Sequence, residues 1–310
     1  MPDTLPAAVN ARTMWRAVIE TCFYGHLFYG VCAAAQVIET SVQLRLPVNG
    51  SLIAGSFIGT VLFYSYPYSR STANSADPRV AWHRQHRGVV DRLQRWALFV
   101  LIALSAWMAI RHRAAIQSMT ALEWIVLVAF PCAGALYYGA PVISRALTLR
   151  QSGWLKPFVI GFVWAGVVVA YPILFARLQY GHHTPLSLFP SLLFIKTLMF
   201  VAILAMLFDI KDRDIDRRLG VSTVVTLVGT ERTLYQVSLP LTVLGMATFL
   251  SYATMQHLTI PRVLLVLAPF GLLIAGIVSL SRPRSVLYYL TVIDGLMLAK
   301  ALLDILAMRF

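Results

Sequence analysis

FDIKDRDIDRRLGVSTVVTLVG, residues 208–229, is the stretch that decides how this chain is read. It follows an apolar run, 191–207, long enough for most of a membrane span. Four carboxylates then fall within a few residues: Asp209, Asp212, Asp214 and Asp216. At 3.6 residues per turn, Asp209, Asp212 and Asp216 share one helical face and Asp214 points elsewhere. Three carboxylates on one face repel one another unless cations lie among them. Their hard oxygens suit Mg²⁺, which commonly bridges carboxylates to substrate phosphates. Lys211, Arg213, Arg217 and Arg218 offer phosphate partners or internal ion pairs. The same residues, taken alone, also fit a solvated, charge-balanced loop after a membrane helix.

The rest of the chain fixes the setting. Of its 310 residues, 58% are hydrophobic and 13% charged, against a usual charged share of about 25%. With its long apolar runs it reads as an all-α, polytopic membrane protein. About nine spans are expected, at 17–42, 51–68, 93–111, 121–143, 154–176, 189–208, 235–256, 259–281 and 285–308. Cys22, Cys32 and Cys132 sit in apolar runs without metal or disulfide spacing. The first apolar run carries Glu20 and Glu39 and is too long for a signal peptide, so it is expected to stay in the mature protein.

The net charge of +13 is a matter of topology. If the N-terminus is cytoplasmic, eighteen Lys and Arg fall on that side and six on the other, with Lys196 and Lys300 inside spans. That asymmetry places the N-terminus and the Asp-rich stretch inside and the C-terminus outside, and leaves no need for a nucleic-acid partner. The two longest loops, about 69–92 and 209–234, lie on the same side, four spans apart.

Asp-x-x-Asp-x-x-x-Asp, then Arg-x-x-Gly-Val-x-Thr and Leu-x-Gly, resembles the second Asp-rich motif of the UbiA superfamily of intramembrane prenyltransferases. The matching residues are Asp209, Asp212, Asp216, Arg217, Gly220, Val221, Thr223, Leu227 and Gly229. The resemblance implies one integral membrane domain over 1–310, a UbiA-like helical bundle with a central cavity open to the cytoplasmic side. It implies a Mg²⁺-dependent transfer of a prenyl group from an isoprenoid diphosphate to an aromatic or other lipophilic acceptor. It also implies residence in the cell (inner) membrane, among membrane lipid. In this reading Asp209, Asp212 and Asp216 are the metal ligands, and Arg70, Arg145, Arg84 and Lys211 hold the diphosphate.

The family's first Asp-rich motif is degenerate. Ser65, Tyr66 and Ser69 occupy the positions of its Asn and two Asp, and Arg70 its basic position. Neutral hydroxyls bind phosphate but are weaker Mg²⁺ ligands than carboxylates. Asn74 and Asp77 offer a shifted ligand pair or a simple turn. Arg79, His83 and His86 or Arg87 share a face, as a phosphate clamp or a headgroup anchor. Two other readings therefore stand beside the enzyme: a non-catalytic UbiA-like protein that binds an isoprenoid or lipid, and a transporter using Asp294 and Lys300.

Within the spans, Asp294 is expected to pair with Lys300 or Lys196, and Glu39 to lie near the outer interface. His26 is expected to be a satisfied interior histidine. Lys196, thirteen residues before Asp209, lies about 20 Å from it along a helix. Tyr64, Tyr66, Tyr68, Tyr137 and Tyr138 form an interfacial belt or shield an allylic cation.

Overall fold

The computed structural model describes residues 11–69, 77–138, 153–182, 188–218 and 220–310, and among these the chain is helical, without strands. α1 (Ala11–Tyr24) and α2 (Leu27–Gln43) meet at a 61° bend, where His26 takes a left-handed backbone. α3 (Gly50–Ser69) leads towards the short α4 (Pro78–Gln85), followed by α5 (Arg87–Arg111), α6 (Arg113–Gln117) and α7 (Ala121–Tyr138). α8 (Lys156–Ala165) continues through a π-helical turn, Gly166–Ala170, into α9 (Tyr171–Tyr180). α10 (Leu188–Arg218) is the longest element. After it come α11 (Val224–Val228), α12 (Thr230–Arg232), a π turn, α13 (Leu239–Met255) and α14 (Ile260–Ser279). α15 (Val286–Tyr288) passes through a further π turn and a break at Asp294 into α16 (Gly295–Ala307).

A helix or helix series thus occupies each of the nine predicted spans, as far as the described residues reach. Among the described residues, by length and composition alone, five can cross a membrane: α5, α8–α9, α10, the series 230–255 and α14, with bent α1–α2 as a sixth. α7 is shorter, and its predicted span runs past the described residues. The last series is cut in two at Asp294. None of the most apolar stretch of α5 is buried inside the protein, and Trp96, Phe99 and Ile110 are exposed. Such a face is stable only against lipid or another apolar surface. The protein is integral to the membrane.

α10 is the axis. Phe200 to Leu204, Met206 and Leu207 are all buried, as expected of a helix apolar on every side. At 1.5 Å per residue its 31 residues span about 46 Å, well beyond the ~30 Å hydrocarbon core, so its last turns carry the charges clear of the apolar layer. The segment 209–218, expected in a loop, is therefore helix. Just past its end, Gly220 takes a φ of 67°, which favours glycine, and the Val221 N–H reaches the Asp216 carbonyl. Around α10 stand α8 and α13; α13 packs on α14, α14 on α16, α16 on α2, and α2 closes against α3 and the Gly166–Ala170 turn. Gly161 sets the α8–α10 spacing: a Cβ there would lie 2.4 Å from the Leu198 carbonyl oxygen.

The buried charges differ from expectation in their partners. Tyr29 donates to Asp294 Oδ2 at 2.5 Å, so Asp294 is paired with neither lysine. Lys300 instead holds both Glu39 oxygens at 2.7 and 2.9 Å, and lies 3.5 Å from Asp304. Asp304 takes Lys196 at 2.6 Å. Glu39 is wholly buried, not interfacial. The reason is geometric: α2 and α16 pack side by side, which puts Glu39 opposite Lys300, whereas Asp294 sits nearly two turns away along α16.

Candidate active site

The polar end of α10 brings Asp209, Asp212 and Asp216 into mutual electrostatic reach, while Asp214 is exposed, as the helical spacing predicts. Asp209 is buried and forms an ion pair with Lys156, the first residue of α8. That pairing follows from the close α8–α10 approach at Gly161. Lys211 pairs with Asp212 at 2.5 Å and sits 4.6 Å from the centre of the Phe208 ring. Asp209 Oδ2 and Asp216 Oδ2 are buried without a hydrogen-bond partner among the described residues. A buried carboxylate oxygen left bare is costly unless a cation or donor completes it.

The short helix α4 brings Arg79 to this end. Asp77 caps α4, accepting from the Arg79 N–H at 2.9 Å, and binds the Arg79 guanidinium at 2.6–3.1 Å. Arg79 is buried between the rings of Tyr68 and Phe208, 5.0 and 5.5 Å from their centres. Phe208 immediately precedes Asp209, so the two polar segments, far apart in sequence, meet here. Burial pushes the Asp77 carboxyl upwards, but the hydrogen bonds and charge of Arg79 outweigh it and hold Asp77 below the usual carboxylate range. His83 is buried beneath, with Nε2 2.9 Å from the Tyr24 carbonyl oxygen. Burial, opposed by that hydrogen bond and reinforced by Arg79 and His86, holds its imidazole below the ordinary range.

The other predicted residues divide. Arg70 and Arg145 lie outside the described residues, as does Asn74. Arg84 is exposed, because α4 turns Arg79 and His83 inwards. Ser65 is buried with its hydroxyl 3.2 Å from His26 Nδ1, and Ser69 donates to the Tyr66 carbonyl of its own helix. Tyr66 is exposed at the rim of a cavity. His26 is buried as expected, though its Nε2 lacks a partner among the described residues. The residue that sequence reasoning missed is Lys156. Its signal was a cation at the head of an apolar span, opposite a carboxylate too deep to stand alone.

Beside the charged end lies an apolar cavity of about 920 Å³, between α3, α5, α7 and α8–α9. Tyr64, Phe130, Tyr137, Trp164 and Tyr171 line it, and its wall includes Val159 and Ile160, one turn from Lys156. Trp164 is fixed by its N–H to Gln36 Oε1 at 2.9 Å, and Tyr64 stacks on Tyr29 at 4.5 Å. A charged, oxygen-rich end over a long apolar hollow suits a ligand with an anionic head and a hydrocarbon tail.

The donor set fits a hard divalent cation in type, and two bare carboxylate oxygens point to one. Among the described residues no three His, Cys, Asp or Glu side chains converge closely enough to hold an ion by themselves. An ion there would have to take its remaining ligands from outside this set, as Mg²⁺ does when it keeps waters and substrate phosphates.

Neither a protein-family sequence model nor a curated protein sequence matches the chain. Its fold is similar to two solved structures. One is of a digeranylgeranylglyceryl phosphate synthase in membranes, at 14% identity and a TM-score of 0.54, covering 94% of this chain and 96% of that one. The other is a UbiA homologue from Archaeoglobus fulgidus, at 14% identity and a TM-score of 0.51, covering 95% and 98%. The chain has the all-helical fold of the UbiA-type membrane prenyltransferases over nearly its whole length.

Proposed function

We propose that this chain, with its UbiA-type fold, is an intramembrane prenyltransferase that uses Mg²⁺ and an isoprenoid diphosphate and alkylates a lipophilic acceptor. The observation that carries this reading is the gathering of Asp209, Asp212, Asp216, Lys156, Lys211 and Arg79 at one end of α10, next to an apolar cavity whose wall includes Val159 and Ile160, one turn from Lys156. Asp209, Asp212 and Asp216 would hold the ion together with diphosphate oxygens and water, since as they stand the three carboxylates do not converge on one point. Bound Mg²⁺ would neutralise charge that develops on the diphosphate as it leaves. Lys156, Lys211 and Arg79 supply fixed positive charge to the same group, with Arg70, Arg84 and Arg145 as further candidates. The bond from prenyl C1 to the diphosphate oxygen breaks with its electron pair going to the diphosphate. A lone pair or π pair of the acceptor forms the new bond to C1, and the acceptor loses a proton. Tyr64 and Trp164 face the cavity where an allylic cation would need shielding. The orientation that fits is N-terminus and site cytoplasmic.

A second reading has its own observation. Ser65 and Ser69 are occupied within the fold and supply no carboxylate, so a non-catalytic isoprenoid-binding protein also fits. The buried charges that motivate a transporter are engaged with one another and with Tyr29. The test is diphosphate release from geranyl, farnesyl and geranylgeranyl diphosphates, in detergent, with a membrane extract as acceptor source. Release that needs Mg²⁺ and disappears in Asp209→Ala/Asp212→Ala is expected. Donor binding without release under every condition would establish the non-catalytic reading instead.

A further inference from the structure

α5 is held by the fold on one side only. Its Leu101, Leu104, Met108 and His112 border the apolar cavity, and among the described residues it packs chiefly against α3. At about 100° per residue, Arg92, Arg95, Trp96, Phe99, Ala103 and Ala106 fall on the opposite side of the helix. All six are exposed. This outward stripe is therefore the face that α5 turns to the membrane.

The stripe changes character along its length. Arg92 and Arg95 stand one turn apart, where the charged first turns of α5 give way to its apolar run. Asp91 is the sole acidic residue in the sequence between 78 and 122, and it pairs with Arg87 at 3.8 Å. Arg92 donates its Nε–H to the Gly88 carbonyl at 3.1 Å, which leaves its outer guanidinium nitrogens for another acceptor. Both arginines border one surface hollow with Trp96 and Phe99, whose rings meet edge to face at 5.9 Å. Further along, Ala103 and Ala106 leave the face without bulk. From Arg92 to Ala106 the helix rises about 21 Å. That is the depth of one leaflet, half of a bilayer of roughly 40–45 Å.

The two guanidiniums call for an anion, and the aromatic and small residues beyond them call for hydrocarbon. One molecule carries both. A second copy of the chain packed face to face here would set arginine against arginine. We propose that this stripe is a binding site for an anionic phospholipid. Its phosphate is held by Arg92 and Arg95. One acyl chain lies along Trp96, Phe99, Ala103 and Ala106 and completes the packing of α5. The site does not depend on the reaction proposed for the end of α10.

To test this, the full-length protein, purified in a nonionic detergent and stripped of lipid, is melted with increasing phosphatidylglycerol, phosphatidylcholine or inorganic phosphate. Phosphatidylglycerol should raise the melting temperature and slow amide exchange in α5, and the other two should do neither at the same concentration. Arg92→Gln/Arg95→Gln should need about tenfold or more phosphatidylglycerol for the same rise, because each arginine at an anionic headgroup is worth about a factor of five. Arg232→Gln/Arg282→Gln removes the same charge from exposed residues of other segments and should keep the wild-type response. Equal melts of the lipid-free proteins show that both variants fold. An equal loss in the two double variants would overturn the site in favour of diffuse surface charge. An equal rise with inorganic phosphate would overturn it in favour of a free anion. A dimer in light scattering that survives phosphatidylglycerol and is dissociated by Phe99→Arg would assign the face to a second copy instead. No effect of phosphatidylglycerol on the wild-type protein would rule out the site altogether.

Discussion

Replacing Lys300 by Met should destabilise the protein more than any other single change in its membrane-embedded half. Lys300 Nζ bonds both oxygens of Glu39, and both residues are wholly buried. Removing one partner of a buried pair strands the other charge, typically costing about 3–5 kcal/mol. The lower end applies here. Glu39 Oε1 still accepts from Gln43 Nε2 at 2.9 Å, and Asp304 keeps Lys196. A loss of about 3 kcal/mol is therefore expected. The double variant Glu39→Gln/Lys300→Met removes both charges and should return to within about 1 kcal/mol of wild type. Reversible unfolding in mixed micelles, titrated with a denaturing detergent, gives the three free energies. If the single and double variants lose the same amount, Lys300 acts through packing of its long side chain, and the ion-pair argument is wrong.

Other expectations follow from the site. Lys156→Met should strand Asp209 and lower thermal stability; adding Asp209→Asn should recover the stability but not donor binding, whereas recovery of both would remove Lys156 from the site. Gly161→Val should force α8 from α10, with a cost of about 1–3 kcal/mol and weaker donor binding, because Lys156 and Asp209 part; a crystal or thermal melt indistinguishable from wild type would contradict the spacing argument. His83 bears on pH. Its folded pKa is depressed, so the unfolded chain takes up the proton first, and stability falls as pH drops below about 6.5. His83→Gln should flatten that part of the melting-temperature profile, and an unchanged slope would assign it to other groups.

How much of this was legible beforehand depended on distance along the chain. The shared face of Asp209, Asp212 and Asp216 is a property of one helix, and periodicity alone placed it. The separation of Lys196 from Asp209 followed in the same way from the helical rise. What periodicity cannot supply is which helix stands beside which. Asp294 was matched with the wrong partners because the crossing of α2 and α16 decides whether Tyr29 or a lysine faces it. Lys156 escaped notice for the same reason, as its role depends on the α8–α10 contact at Gly161. The lining of the cavity was illegible because its residues are apolar, like those facing lipid. Arg79 stood out only as one of several cations on a basic loop; Tyr68 and Phe208, from two separate segments, single it out.

The continuity of α10 has one more consequence. Its buried half and its carboxylate-bearing end are a single rigid shaft, so they share one angular phase. Adding a residue between Phe200 and Asp209 would turn everything beyond it by about 100° and swing Asp209 away from Lys156. This shaft can neither gain nor lose a residue without pointing its charges the wrong way.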